Sequence, residues 1–363
     1  MRFITDLKKG ILGRPDSPEL WQEIVSLIPD SVFLKEDLKI LSPAVGHGTE
    51  ANVVVKRMRS LGLSIDDIKS KLFLLDKYSV FTKALKRKGY TNCITADYTT
   101  WETDQKFDII LCSPPFQNPH GVNSHALWED FVKKAHTMIA DNGYIAMITP
   151  YVGRRKIKSK FFENDFLHFK SEGVSDYFKN SGSTFCYHVV RQGKTGALTT
   201  IGYNKYDLSK YGFIPSHMDE KIEEILEYLM TGVPLDVQNG GIHSSNEEVF
   251  SANQNEKFPY RYQHSSSQTK WGSKPCAAME HTYKVVCSKS GYLNPWLDID
   301  DNVGVTENSW IIPVESEEHG QKIIAFLNSP EVKLFNEISG SNTSAHDPNK
   351  YKLLRINKDI LAN

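Results

Sequence analysis

The chain has 363 residues, of which 40% are hydrophobic, 11% aromatic and 24% charged, which excludes a disordered polymer and leaves room for two domains. Its formal net charge is -1, so any nucleic-acid partner must meet a basic face and not a basic total. The five cysteines (Cys93, Cys112, Cys186, Cys276 and Cys287) are odd in number and form no C-x-x-C, which argues against a disulfide framework or zinc site and fits a reducing cytoplasm.

The N-terminus, MRFITDLKKG, is too polar for a signal peptide, and no apolar run is long enough to span a membrane; a cytoplasmic protein is expected. In chain order, LKILSPAV (38–45) predicts a strand and EANVVVKRMRSLG a helix behind it. KLFLLD (71–76) predicts a second strand, followed by the helix SVFTKALKRKG, and NCITAD (92–97) a third strand. FDIILCSPP (107–115) predicts a fourth, with HALWEDFVKKAHTMI (125–139) as its helix, and GYIAMITP (143–150) a fifth. The strands are β-branched and nearly continuous in apolar character, as when both faces are covered. Their alternation with helices predicts an α/β fold, a Rossmann-like doubly wound parallel sheet with ligands at the carboxyl ends of its strands.

From about residue 200 this rhythm is lost. DEKIEEILEYLM (219–230) predicts an amphipathic helix, and 253–275 is a long polar stretch. TYKVVCS (282–288) and SWIIPV (309–314) predict short strands, and KIIAFLNSPEVKLF (322–335) one helix. The expected division is a catalytic domain over 1–200 and an α+β domain over 201–363.

The chemistry-bearing residues lie at strand ends. Gly46-His47-Gly48 follows the first strand, where glycines permit close backbone approach and a helix N-terminus offers N–H donors; a tight strand–helix turn is the alternative. Asp76 ends the second strand, where a carboxylate can take ribose hydroxyls or stand as a solvated acid beside Lys77. Asp97 ends the third, where it can accept from an adenine amino group or serve as a turn residue. Ser113-Pro114-Pro115-Phe116 ends the fourth and is the sharpest signal, because two prolines cannot continue a ladder. They fix carbonyls in a set direction. A rigid carbonyl and a nearby side-chain oxygen can accept both protons of an aromatic amine, drawing its lone pair out of conjugation. The nitrogen can then attack a methyl sulfonium, with an aromatic ring stacked on the base.

In these motifs the chain resembles the amino-methyltransferases of DNA, in the group whose cofactor motif precedes the catalytic motif and whose target-recognition domain is C-terminal. Ser42-Pro43-Ala44-Val45-Gly46-His47-Gly48-Thr49 is similar to the family's cofactor loop, usually Asp-Pro-Ala-Cys-Gly-Ser-Gly-Thr. FDIILCSPPF is similar to its catalytic strand, which usually ends in Asn-Pro-Pro-aromatic. Thr184-Phe185 resembles a late motif whose aromatic packs against the flipped base. The resemblance implies the S-adenosylmethionine-dependent methyltransferase fold. It implies cofactor binding by Pro43, Ala44, Gly46, Gly48, Asp76 and Asp97, and catalysis by Ser113, Pro114, Pro115 and Phe116. Phe116 and Phe185 would stack on the target base. Three residues depart from the pattern: Ser42 replaces an acid, His47 replaces a small residue and either reaches the cofactor or faces solvent, and Ser113 replaces Asn or Asp. Ser-Pro-Pro goes with cytosine N4 in this family, whereas the motif order is commoner among adenine N6 enzymes; the catalytic residue tips the reading to cytosine.

DNA is the implied partner, with the target base flipped out of the duplex. Arg154, Arg155 and Lys156 follow the fifth strand, and Arg261 and Lys270 lie among Tyr260, Tyr262 and Trp271; both groups suit phosphate contacts or a plain solvated surface. His120, His125 and His136 lack a ligand-like arrangement with acids, so no metal is expected. Two other functions fit the same residues: methylation of RNA or of protein glutamine, and a non-catalytic DNA-binding subunit of a modification system.

Overall fold

The computed structural model describes residues 17–116, 126–152, 158–178, 184–241, 243–290, 293–299, 302–340, 346–358 and 360. Two compact units divide the chain, Met1–His217 and Met218–Asn363.

The first unit is built on a nine-stranded sheet: β1 (Ile40–Pro43), β2 (Leu72–Asp76), β3 (Asn92–Thr95), β4 (Phe107–Cys112), β5 (Ile139–Pro150), β6 (Asp165–Lys170), β7 (Phe185–Arg191), β8 (Thr199–Ile201) and β9 (Asn204–Tyr206). Their spatial order is β3-β2-β1-β4-β5-β7-β6-β8-β9. The first five are parallel, as the alternation of strands and helices requires. The sheet as a whole is mixed, because β7 runs antiparallel to both β5 and β6. The expectation of a purely parallel sheet is corrected on this point. Among the described residues between β6 and β7 there is the 3-10 turn Val174–Tyr177 and no α-helix, whereas a parallel neighbour needs a crossover. The sheet also continues through β9, past the boundary expected at residue 200.

Helices cover both faces. On one side lie α1 (Pro18–Ser26), α2 (Asp30–Phe33), α3 (Thr49–Ser60), α4 (Ile65–Lys71) and α5 (Ser79–Arg87), which bury Trp21, Ile24, Val54, Met58, Ile68 and Leu85. These pack in one core with Ile40, Leu74, Ile109 and Ile148. The helix α1 starts where Ser17 accepts the Glu19 N–H at 3.1 Å with Pro18 in the first turn, a standard N-terminal signal. On the other side α6 (Leu127–Met138) turns Trp128, Phe131, Val132 and Ala135 inward and packs on β5; α7 (Lys158–Phe162) contributes Phe161.

The second unit is α+β. Its helices are α8 (Glu220–Leu229), α9 (Glu317–Leu327), α10 (Pro330–Ile338) and α11 (Pro348–Tyr351). The single helix expected over 322–335 is two, because Ser329 caps a new helix by accepting the Val332 N–H at 3.2 Å, with Pro330 in its first turn. One four-stranded sheet contains the antiparallel pair Lys284–Ser288 and Ser309–Pro313, where short strands were expected. The polar stretch 253–275 holds a hairpin of Tyr260–Ser265 and Gln268–Gly272. Tyr262 is fully buried there, its ring lying against Gly272, where an added Cβ would come within 2.4 Å of it.

Candidate active site

The strand order reverses between β1 and β4, since the chain proceeds from β1 outward to β3 and then returns to β4 and β5 on the other side. In such sheets a ligand has room outside the carboxyl ends of the strands at this switch point. Two segments singled out in the sequence leave the sheet here. The loop 44–48 follows β1, and Ser113–Phe116 follows β4. The Cys112 thiol donates to the Pro43 carbonyl at 2.9 Å, which ties the two strand ends together.

The β1 loop is held in a tight, left-handed course: φ is 59° at Ala44, 51° at Gly46 and 80° at Gly48. Val45 N–H donates to Leu75 O (3.0 Å) and Gly48 N–H to Val45 O (2.8 Å). Glycine is the residue that takes such angles without strain. A Cβ at Gly46 would meet nothing within 4 Å, so open space adjoins the backbone there. Gly48 is the N-cap of α3. His47, between them, is exposed and sets its ring edge against Phe81, with centroids 5.0 Å apart.

Asp76, at the end of β2, is 5% exposed and accepts backbone N–H groups from Gly46 (2.9 Å) and Tyr78 (2.8 Å). Burial pushes its carboxyl above the usual carboxylate range, against the pull of those two N–H bonds and of His47. Each oxygen keeps a further lone pair, so the acid braces the loop and retains capacity for ligand hydroxyls. Asp97, just past β3, pairs with Lys77 at 2.7 Å and accepts from Thr99 N–H (3.1 Å) and Oγ1 (2.7 Å). Burial raises its carboxyl, but Lys77 and Thr99 outweigh that and hold it below the usual range. The two acids therefore stand at adjacent strand ends in different electrostatic settings.

The start of α3 carries a residue that the motif reading missed. Glu50 is 6% exposed, and the Ser42 hydroxyl, itself 1% exposed, donates to it. The signal was present in the sequence: Glu50 shares a helix face with Val53 and Val54, three and four residues on, and both are buried.

Beyond β4, Pro114 is buried, and Ser113, Pro115 and Phe116 are half-buried. Phe116 lies 4.7 Å from Phe185 between centroids, tilted by 45°. The two rings expected on either side of a base thus touch one another. Phe185 is 2% exposed and also stacks on Phe178 at 4.3 Å and 26°. Phe185 is placed as a core ring behind the site, and a base between it and Phe116 requires the pair to part. Phe178 was not singled out; its partner is reached only through the fold.

In the second unit, Arg261 pairs across the hairpin with Trp271, and Tyr262 with Lys270. Adjacent strand residues face opposite ways, so Arg261 and Lys270 lie on opposite faces. Arg261, Trp271 and Tyr260 line an open groove with Cys276, Met279 and Glu280. Lys270 shares the face of buried Tyr262 and donates to the Ser244 carbonyl at 2.8 Å. The structure does not bring these two cations together. Arg154, Arg155 and Lys156 lie outside the described residues, as do His120 and His125. Among the described residues no group of His, Cys, Asp and Glu is arranged to hold a metal ion, and no helix is long and apolar enough to cross a membrane.

Residues 32–169 match the family model of the Methyltransferase small domain. The chain is 31% identical over 141 residues to the Type II methyltransferase M.CvrRI of Paramecium bursaria Chlorella virus XZ-6E, covering 35% of this chain and 33% of that protein. The chain thus spans about a third of the length of that relative. Among solved structures it is similar to a nuclease-deletion mutant of the Type ISP restriction-modification enzyme LlaGI in complex with a DNA substrate mimic. The TM-score is 0.52 at 9% identity, covering 85% of this chain and 50% of that one. The Type IIL restriction-modification enzyme MmeI in complex with DNA gives 0.47 at 10% identity, covering 95% and 64%. The fold is that of an α/β methyltransferase with a further α+β unit, and the cofactor of the matched domain is S-adenosylmethionine. The residues present fit that group: open backbone at Gly46 and two carboxylates at neighbouring strand ends.

Proposed function

We propose that this protein transfers a methyl group from S-adenosylmethionine to an exocyclic amino nitrogen of a base in DNA, as part of a restriction–modification or related protective system. The observation that carries the reading is the meeting of the Pro43 and Cys112 strand ends, which sets Ser113–Phe116 beside the glycine loop. The bound cofactor supplies an electrophilic methyl on a sulfonium. Every other requirement falls on this chain. Gly46, Gly48 and the Pro43–Ala44 turn present backbone to the ligand, and Asp76 and Asp97 take its ribose and adenine. The Pro114 carbonyl and the Ser113 hydroxyl accept the two amine protons, so the nitrogen lone pair leaves conjugation and points at the methyl carbon. The cofactor would supply the methyl carbon and keep the electron pair on its sulfur, and the Ser113 and Pro114 acceptors would leave the surplus amine proton free to pass to solvent. Phe116 offers the target ring a half-buried aromatic face.

A base within a duplex cannot reach these groups and must be flipped out. Arg261, Trp271 and Tyr260 provide a basic and aromatic surface for the DNA in the second unit. Cytosine N4 is preferred to adenine N6 because the resemblance ties a serine at position 113 to cytosine. The sequence relative M.CvrRI is a Type II methyltransferase, which supports DNA over RNA or protein.

The test is transfer of labelled methyl to duplex DNA, followed by digestion to nucleosides and mass spectrometry, with RNA and protein mixtures as parallel acceptors. N4-methylcytosine is expected. Phe116→Ala is expected to reduce transfer about five- to 150-fold, the worth of one stacked base at ~1–3 kcal/mol, while cofactor binding persists. Label in RNA or protein and none in DNA overturns the reading.

A further inference from the structure

We infer that Lys134, on α6, is a positioning residue for Asp97 and through it a determinant of which purine the cofactor site accepts. The inference rests on the reading of Asp97 as the acceptor of the adenine amino group.

Asp97 opens a single tight turn after β3. Its carbonyl accepts from Thr100 N–H (3.1 Å) and Trp101 N–H (2.8 Å), and its Oδ1 accepts from Thr99 N–H (3.1 Å) and Thr99 Oγ1 (2.7 Å). Oδ1 is thereby committed to the turn. Oδ2 faces Lys77 at 2.7 Å, but the Lys77 side chain is 54% exposed, so water screens that pair and a ligand amine can share the oxygen. The direction of Oδ2 is set by the turn.

The turn is gripped from α6. The Lys134 ammonium donates to the carbonyls of Thr99 (3.2 Å) and Trp101 and lies 5.4 Å from the centroid of the Tyr98 ring. One turn earlier on the same helix face, Phe131 meets that ring, with centroids 4.9 Å apart. A carboxylate thus holds the amide end of the turn and a cation its carbonyl end, the arrangement that aligned peptide dipoles favour. Burial pulls the Lys134 ammonium below its usual value, opposed by the charges of Glu102 and Asp97. The ammonium has exchanged water for two neutral carbonyls and a ring, and what the exchange fixes is the turn that aims Asp97. Among the described residues, Lys77 and Lys134 are the side chains from elsewhere that hydrogen-bond to residues 97–101, and Lys77 is the exposed one. The turn also abuts the catalytic strand: Tyr98 is 2% exposed, and Cys112, the last residue of β4, adds to burial in pushing its phenol well above the usual value.

The experiment uses the full chain and two ligands that cannot donate a methyl group. S-adenosylhomocysteine carries an amino group at purine C6; S-inosylhomocysteine carries a carbonyl there and a proton on N1, and is otherwise the same. Calorimetry on the unaltered protein is expected to favour S-adenosylhomocysteine by about tenfold or more, the worth of one hydrogen bond to a charged group. Lys134→Met, which keeps the stem and removes the donors, is expected to weaken S-adenosylhomocysteine about tenfold and S-inosylhomocysteine less than about twofold, so that the preference collapses. Lys134→Arg, which can donate to both carbonyls, is expected to keep the preference within about threefold of the unaltered protein. Lys134→Gln, with one neutral donor group, stands in if Lys134→Met fails to fold and is expected to lose part of the preference. Thermal unfolding of each variant is followed in parallel, because a merely structural lysine lowers Tm and weakens both ligands alike. Equal losses for the two ligands, or an unchanged preference, overturn the assignment while the cofactor site stands. Absence of a preference in the unaltered protein overturns the reading of Asp97 and this inference with it, and failure to bind S-adenosylhomocysteine at all overturns the cofactor reading itself.

Discussion

The stability of the first unit should fall on mild acidification because of a single buried imidazole. His188 lies in β7, is fully buried, and neither ring nitrogen has a hydrogen-bond partner among the described residues. Its ring sits 4.5 Å from Phe161 between centroids, and Met147 of β5 and Phe169 of β6 are its register neighbours. Burial, and secondarily His136, push it down to about 3. Because the folded value lies below the unfolded one, the unfolded chain takes up the proton first as pH falls. The stabilisation is therefore intact above about pH 6.5 and is lost progressively as pH drops toward 3. Between pH 7.5 and 5.0 the unfolded state gains about 1.5 pH units of protonation free energy, or ~2 kcal/mol. For a unit of this size that corresponds to a fall in Tm of about 4–8 °C. His136, lowered to about 4 by burial and by Lys160, acts in the same direction but is half-buried and adds less. The perturbation is His188→Leu, which removes the titrating group and two unpaired ring nitrogens at similar volume. The assay is thermal unfolding by circular dichroism at the two pH values for both proteins. The variant is expected to be at least as stable at pH 7.5 and to lose about 2 kcal/mol less on acidification. Parallel losses in the two proteins would refute the reasoning, and would mean that His188 finds a proton partner in the folded state.

Two further perturbations test the packing on either side of the division between the units. Asp165 has no exposed side-chain surface and accepts from Arg191, from Thr195 through N–H and Oγ1 (2.8 Å each), and from Ala197 N–H (3.3 Å). Burial raises its carboxyl, but Arg191 and the Thr195 and Ala197 donors hold it far below the usual range, so its stabilisation is present above about pH 4 and vanishes as pH falls further. Asp165→Asn is expected to cost ~3–5 kcal/mol in urea unfolding at pH 7.5, as for one partner removed from a buried pair, and a loss below ~1 kcal/mol would count against it. In the second unit, Gly272→Val forces a side chain into the ring of Tyr262 and is expected to cost ~1–3 kcal/mol, read as faster amide exchange across 260–272; unchanged exchange would show that the ring has room to shift.

The part of the fold legible in the sequence is the part whose strands are covered on both faces. β1, β2, β4 and the stretch 143–149 of β5 announce themselves as apolar runs because neither face meets water, whereas the edge strand β3 is partly exposed; the helices between them carry a 3.6-residue period. The antiparallel insertion of β7 is not legible in the same way. It depends on the pairing of Tyr144 with Arg191 through Pro150 with Phe185, a long-range register that no local pattern encodes. The hairpin within 253–275 was hidden for the opposite reason. Its residues are mostly polar and their burial does not alternate, adjacent Tyr262 and Gln263 both being buried, so composition spoke for a loop and no period spoke for a strand. The break at Ser329-Pro330 was fully encoded: a capping serine followed by proline starts a helix, even inside an apolar pattern that reads as continuous.

The same distinction governs the site. The positions of Gly46, Asp76, Asp97 and Ser113–Phe116 at or just past strand ends are legible because strand ends are local features. Residues whose role depends on what they touch are not. Phe185 reads as a stacking ring from its motif, but Phe178 and Phe116 already engage it, and its 2% exposure makes it a wall of the site. Glu50 stands on the buried face of its helix, as its spacing to Val53 and Val54 allows, but its partner Ser42 is reached only through the fold. Both differences have one physical cause: a contact across seven or more residues is made by the fold, and the charge or ring is only as available as that contact leaves it. Phe116, half-buried and the first aromatic after the prolines, is therefore the ring whose removal should separate base stacking from cofactor binding, while removal of Phe185 should disturb the core and both functions together.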